Sequence, residues 1–181
     1  MSNVTDLFAR AQGSLAGGVS SSTRVNRALG HPLYFQRAEG CRLWDLDGRE
    51  YIDLCCSHGA TLVGHNDPRI RAAVERVLAT NAACSYENEL QTELAELICK
   101  MVPACERVRI VGSGTEATMH AIRLARAYTG RQKLLKIEGN FHGYHDQVMF
   151  SIGTPADKLG PETSPTPWPG STGIAPGMAE Q

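Results

Sequence analysis

Apolar and polar positions alternate along the chain in a way that predicts four helices and several short strands. Val4, Leu7, Phe8 and Ala11 recur at three- and four-residue spacing, so residues 4–15 are predicted to form a short amphipathic helix. A Gly/Ser segment, Gly17-Gly18-Val19-Ser20-Ser21-Ser22-Thr23-Arg24, interrupts that period. Cys41–Leu54 then reads as a β-hairpin. Leu43, Trp44, Tyr51 and Ile52 favour strands, and Asp47-Gly48 signals a two-residue turn. The pattern changes at Gly64-His65-Asn66-Asp67-Pro68. Asn66 or Asp67 can cap a helix with Pro68 in its first turn, and Ile70, Val74, Val77 and Leu78 continue it. A third helix begins near Glu89, aligns Leu90, Leu94, Leu97, Ile98 and Met101, and ends before Pro103.

Strand-like and helical runs alternate beyond this point. Val108–Val111 is a predicted strand, Thr115–Tyr128 an amphipathic helix, Leu134–Ile137 a strand and Gln147–Ser151 a further candidate strand. Such alternation predicts an α/β fold with a mostly parallel sheet covered by helices. After Ser151, the run IGTPADKLGPETSPTPWPGSTGIAPGMAEQ has almost no apolar period and reads as a long loop. The expected division is an N-terminal segment over 1–63 (helix, Gly/Ser loop, hairpin), the first part of a larger domain over 64–151, and a Gly/Pro-rich loop over 152–181. No closing helix or strand follows. So few strands would leave apolar helix faces uncovered, and the expectation is the N-terminal part of a larger fold.

Composition narrows the class. The 181 residues are 42% apolar, enough for a core, and their formal charge of −1 gives no sign of nucleic-acid binding. Cys41, Cys55, Cys56, Cys84, Cys99 and Cys105 contain no C-x-x-C pair, so reduced thiols fit better than a zinc site or a disulfide framework. The opening MSNVTDLFARAQG lacks the apolar stretch of a signal peptide, and no run approaches membrane-spanning length. A cytoplasmic protein without a membrane partner is expected. His142 and His145 are three residues apart, but no third ligand accompanies them, so no metal site is expected.

The most informative run is Gly112-Ser113-Gly114-Thr115-Glu116-Ala117-Thr118, between a predicted strand and a predicted helix. A helix start offers unpaired N–H groups and the positive end of the dipole, which suits a phosphate. Gly114 permits close backbone approach, and Ser113 and Thr115 can add hydroxyl donors. The same residues also make an ordinary helix N-terminus. Gly112, Gly114 and Ala117 satisfy the G-x-G-x-x-[GA] dinucleotide pattern, and Glu138 lies where a ribose-binding acid belongs. A nicotinamide- or flavin-dependent oxidoreductase, or a non-catalytic binding module, therefore remains open on this motif alone. A P-loop is excluded, since no Gly-Lys-Ser/Thr follows.

The wider run GSGTEATMHAIRLARAYTGRQKLLKIEGNFHGYHD resembles the corresponding block of class III aminotransferases, glutamate-1-semialdehyde 2,1-aminomutases in particular. Upstream, GGVSSSTR resembles the family's GGVNSPVR, and YIDLCCSHGATLVGHNDP resembles segments ending in GHxxP. The likeness covers most of residues 10–150. It implies the α/β fold type I of pyridoxal-phosphate-dependent transferases, here its N-terminal part, and a homodimer. It further implies an amino group moved through pyridoxal 5′-phosphate, to or from a small amino acid or amine.

The likeness also assigns residues. Ser113, Gly114 and Thr115 hold the cofactor phosphate, and Phe141 stacks on its ring beside His142. Arg24 grips a substrate carboxylate with Ser21 as helper, and His58 lines the substrate pocket. Many relatives have tyrosine in place of Phe141, and the aminomutases usually have tryptophan in place of His58. The second departure opens the substrate to another amino acid or amine. The family's Schiff-base lysine and the aspartate that faces the pyridinium nitrogen lie further along than these 181 residues reach. Lys100, Lys133, Lys136 and Lys158 do not stand in that lysine's context, so no catalytic residue is assigned and the chain by itself is expected to be inactive. The terminal loop corresponds to a region that covers the active site in aminomutases, as a lid would.

Overall fold

The computed structural model of the chain describes residues 3–80 and 85–180. It consists of two compact units, residues 1–87 and 88–181.

The first unit opens with helix α1, Asn3–Gln12. The helix stops short of the predicted 4–15 span, because the next residues wind into tight turns that return the amides of Ser14 and Leu15 to the Ala11 carbonyl. Gly18, at φ 72°, rests against Phe8: a Cβ there would come within 2.5 Å of a ring carbon. The Gly/Ser segment thus folds back on the helix.

Three antiparallel strands follow in the order β1 (Phe35–Glu39), β2 (Arg42–Asp45) and β3 (Glu50–Ile52). The predicted hairpin is β2–β3, with Leu43 opposite Tyr51 and Trp44 opposite Glu50. Strand β1 is an addition, with Ala38 opposite Leu43 and Arg37 opposite Trp44. The Arg37 guanidinium lies over the Trp44 ring at 4.3 Å. Arg42 and Glu50 form an ion pair across β2 and β3.

The turn between β2 and β3 corrects the two-residue expectation. The Asp45 amide donates to the Arg49 carbonyl and the Gly48 amide to the Asp45 carbonyl, so the loop is Leu46-Asp47-Gly48 with Gly48 left-handed at φ 82°. The cause is Asp45. Its buried carboxylate accepts the amides of Asp47 and Arg49 and the Tyr51 hydroxyl, which fixes the wider loop.

Helix α2, Pro68–Thr80, completes the unit. Of the two proposed caps, Asp67 is used: its Oδ1 accepts the Arg69 amide at 2.9 Å, whereas Asn66 stands at φ 55°. The Arg69 guanidinium on the same carboxylate holds the Asp67 pKa down at about 2. Gly40 and His65 exchange two backbone hydrogen bonds, and Gly64 at φ 91° lies so close to Gly40 that a Cβ would meet its backbone at 3.1 Å.

The second unit contains helices α3, Glu89–Met101, and α4, Gly114–Thr129. Asn88 and Gln91 form a reciprocal capping box at the start of α3. Ser113 caps α4, and Gly130, left-handed at φ 70°, ends it. The predicted strands Val108–Val111, Leu134–Ile137 and Gln147–Ser151 do not form. The described residues hold one sheet, the antiparallel one of the first unit, and no parallel ladder. A strand exists only when a neighbour pairs its backbone, and these segments find no such neighbour; Leu135 and Ile137 stay exposed. Phe150 makes one isolated bridge to Pro169.

The loop beyond Ser151 is irregular but tied down. Ser151 donates to the Trp168 carbonyl at 2.7 Å, Gly170 to Met149 at 2.8 Å and Thr166 to Leu159 at 2.8 Å. Val148 is almost fully buried, while Leu94, Leu97 and Met101 of α3 and Leu124 of α4 are exposed. The apolar helix faces are uncovered, as the strand-poor pattern predicted.

Candidate functional site

The first turn of α4 supplies the frame of the site. Ser113 is extended, its Oγ accepts the Glu116 amide at 3.2 Å, and its carbonyl accepts the Ala117 amide at 3.0 Å. The same hydroxyl donates to Glu116 Oε2 at 3.2 Å. Gly112 gives that carboxylate its room, since a Cβ would stand 3.0 Å from Oε2. The amides of Gly114 and Thr115 donate to no acceptor among the described residues. At Gly114 an added Cβ would meet no atom within 4 Å. Two N–H groups without an acceptor thus stand at the positive end of a sixteen-residue helix, an arrangement whose electrostatics favour an anion.

The segment from Phe141 to His145 is hung on this turn. Tyr144 donates its amide to Thr115 Oγ1 at 3.2 Å, which leaves the Thr115 hydroxyl hydrogen available. Thr118 Oγ1 lies 2.7 Å from the His142 carbonyl oxygen and 3.2 Å from His145 Nε2. Gly143, buried at φ 109°, lies against Thr115; a Cβ would stand 2.8 Å from both Cα and Oγ1. The structure therefore ties the segment that carries Phe141 and His142 to the turn that carries Ser113, Gly114 and Thr115. Phe141 is half exposed and meets Tyr144 edge to face at 5.0 Å between centroids. Burial pushes the His145 pKa down, against the pull of Asp146, which favours the neutral ring.

Glu138, the acid of the dinucleotide pattern, is engaged elsewhere. Thr154 donates its hydroxyl to Glu138 Oε1, and that bond holds the carboxyl below its usual range. It terminates no strand.

The substrate-side candidates lie in the first unit. Arg24 is exposed in a short 3-10 turn, Ser22–Arg24, and its Nη1 donates to Ser20 Oγ at 2.7 Å. Ser21 shares a hydrogen bond with Thr23 at 3.0 Å. Arg24 lines a cavity of about 720 Å³ bounded by apolar side chains such as Leu7, Leu15 and Leu33 and by polar ones, Ser20, Thr23 and Arg27 among them. His58 is exposed and stands in a run of left-handed residues, Cys56, Ser57 and His58 at φ 48°, 52° and 57°, which Gly59 continues at φ 88°. L-residues pay roughly 1–2 kcal/mol each for that conformation. Asp53 compensates: Oδ1 accepts the amides of Cys55 and Cys56 at 2.8 and 3.0 Å, and Oδ2 meets His65 Nε2 at 2.6 Å.

Pattern reading alone passed over Thr118, Gly143, Asp53 and His65. Thr118 lies one helical turn after Gly114, which was a usable signal, but the partner that gives it meaning is 24 residues away. Among the described residues, no group of three or more His, Cys, Asp or Glu side chains gathers as metal ligands would.

Residues 24–172 match the family profile described as "Aminotransferase class-III". The chain is 44% identical over 162 residues, 89% of its length, to glutamate-1-semialdehyde 2,1-aminomutase 2 of Brevibacillus brevis, of which it covers 38%. Its backbone superposes on an omega-transaminase from Sphaerobacter thermophilus with a TM-score of 0.92 at 37% identity, covering 99% of this chain and 40% of that one. It also superposes on a transaminase solved with PLP bound, with a TM-score of 0.86 at 30% identity, covering 97% of this chain and 39% of that one. The chain spans about two fifths of the length of these relatives.

Proposed function

The chain belongs to the class III aminotransferase family, and from that membership we propose that it is the phosphate-holding part of a pyridoxal-phosphate-dependent aminotransferase or aminomutase. One observation carries the reading: at the start of α4 the amides of Gly114 and Thr115 have no acceptor among the described residues, and Gly114 borders open space. They would hold the 5′-phosphate together with the Thr115 hydroxyl, whose hydrogen is uncommitted. Ser113 serves chiefly as the cap that keeps these amides aimed, since its own hydroxyl is shared with Glu116. Phe141, half exposed above the turn, would cover one face of the cofactor ring and exclude water from it, with His142 beside it. When bound, the cofactor supplies an electron sink for charge released at an amino-bearing carbon.

On the substrate side, Arg24 is proposed to bind a carboxylate by its guanidinium fork, with Ser21 near it and His58 as a polar wall. The substrate class is a small amino acid or amine. Lys136 reaches the Ser151 carbonyl and Lys158 pairs with Asp157, so neither is proposed as the lysine that anchors the cofactor. That lysine is assigned to the length of the relatives that the chain does not span, and the chain by itself is proposed to be inactive. A cytoplasmic homodimer is proposed for the whole protein. The cysteines among the described residues are free, and no helix described here is long and apolar enough to cross a membrane. The Thr154 bond to Glu138 counts against the dinucleotide alternative.

Equilibrium dialysis of the purified chain against pyridoxamine 5′-phosphate, pyridoxamine and NAD tests the reading. Retention of the phosphorylated amine alone is expected. Equal retention of both amines, or preference for NAD, would overturn it.

A further inference from the structure

Six residues before Val111, at the other end of the segment that feeds the Gly112 turn, Cys105 faces Cys99 with their Sγ atoms 3.9 Å apart. Cys99 lies in the last turn of α3, and Cys105 in the loop that leaves it. That loop is fixed by its own backbone: Val102 donates to the Ile98 carbonyl at 2.9 Å and Cys105 to the Val102 carbonyl at 2.8 Å. The two thiols are therefore held as neighbours by the helix end itself. We propose that Cys99 and Cys105 form a dithiol site that low-molecular-weight disulfides, such as oxidised glutathione, convert reversibly to an intrachain disulfide.

Both side chains are half-buried, which leaves access for a small oxidant. A disulfide needs its sulfurs about 2 Å apart, so the pair must approach by roughly 2 Å. A χ1 rotation of Cys105, on a loop outside the helix, supplies motion of that size. Cys55 and Cys56 are adjacent in sequence, a spacing that suits an ordinary bridge poorly, and Cys41 is an exposed thiol on the β1–β2 turn.

The chemistry balances without any other reactant. Burial and the hydrogen bond to Cys105 push the Cys99 thiol up, so Cys99 keeps its proton and attack starts at Cys105. The Cys105 thiolate attacks one sulfur of the small disulfide, and the other sulfur leaves as a thiolate that takes up a proton. Cys99 then loses its proton and attacks Cys105 Sγ of the mixed disulfide, expelling the second small thiol. Two protein thiols are oxidised to one disulfide, and one small disulfide is reduced to two thiols. The bridge would tie the end of α3 to the segment entering the phosphate turn. This site does not depend on the function proposed above.

The test is exposure of the folded chain to oxidised glutathione, followed by intact mass and peptide mapping. The expected product lacks two hydrogen atoms, carries its new bond between Cys99 and Cys105, and returns to the starting mass on reduction. In Cys99→Ser the reaction should stop as a glutathione adduct on Cys105, while Cys41→Ser should still close the bridge between Cys99 and Cys105. No change in mass, a bridge mapped to other cysteines, or a stable adduct on the parent chain without ring closure would each overturn the proposal. Mapping on the parent chain decides the matter by itself should either serine variant fail to fold.

Discussion

Thr118 Oγ1 stands 2.7 Å from the carbonyl oxygen of His142, joining the second turn of α4 to a loop 24 residues further on. A hydroxyl has one hydrogen, yet the Gly114 and Thr115 carbonyls also lie within reach of this one, at 3.1 and 3.0 Å. Donation to His142 is the shortest of these, and it leaves the oxygen free to accept from a neutral His145 carrying its proton on Nε2, 3.2 Å away. Burial of His145 favours that neutral form. One side chain thus couples the helix that offers the free amides to the loop that carries Phe141.

Replacing Thr118 with valine keeps the shape and removes this coupling. The expected cost is about 1 kcal/mol, because an exposed bond to the His142 carbonyl and a part-buried contact with the His145 imidazole are both lost. Thr118→Ser should keep most of the stability. Denaturant unfolding gives the magnitude, and amide exchange over residues 141–145 gives the location, with faster exchange confined to that loop in the valine variant. A valine variant with parental exchange rates would mean that the Tyr144 bond to Thr115 and the packing of Gly143 hold the loop without Thr118.

The extent to which this arrangement can be read from the sequence follows the range of each interaction. Helix limits are legible because their chemistry is local. Asp67 before Pro68, Asn88 three residues before Gln91, Ser113 three residues before Glu116 and Gly130 after Thr129 all fix an end within one turn. The phosphate turn is legible for the same reason. Strand β1 is not, because Phe35-Gln36-Arg37-Ala38-Glu39 has only two apolar residues and owes its extension to β2. Leu134–Ile137 misleads in the opposite direction. Its apolar run has strand character, but pairing is a property of two segments and none of the described residues supplies the second. The three-residue loop at Asp47-Gly48 likewise depends on Asp45, whose carboxylate selects it over the tighter turn. Thr118 and Gly143 acquire their roles only through contact with each other's segments.

Asp53 links acidity to the shape of the His58 turn. The His65 hydrogen bond, then the amides of Cys56 and Cys55, hold its carboxyl below its ordinary value of 3.8. A carboxyl whose pKa is lowered by folding adds stability that is fully present above the unfolded value. That stability is lost as pH falls through the lower, folded value. The stability gap between the parent chain and Asp53→Asn should therefore shrink as pH falls below about 5. Chemical denaturation at a series of pH values reads this directly. A gap that stays unchanged down to pH 2–3, roughly one unit below the ordinary carboxyl value, would show that Asp53 contributes no charge-dependent support to the left-handed run.

Gly114 and Gly143 give opposite outcomes on substitution by alanine, and the contrast isolates ligand binding from folding. At Gly143 a Cβ would sit 2.8 Å from Thr115 Cα and Oγ1, on a backbone at φ 109° that L-residues rarely adopt. The loop must lift from α4, so Gly143→Ala should lose stability by more than about 1 kcal/mol and lose cofactor affinity with it. At Gly114 the same Cβ meets nothing, and alanine is the better helix former by about 1 kcal/mol. Gly114→Ala should therefore fold as well as the parent chain or slightly better. Its methyl group would occupy the space that a phosphate needs to reach the two free amides, so affinity for pyridoxamine 5′-phosphate should fall at least tenfold, about 1.4 kcal/mol. Thermal unfolding and dialysis on the same preparations separate the two effects. If Gly114→Ala binds the phosphorylated amine as the parent does, the start of α4 is only a well-capped helix, and the anion must be held elsewhere.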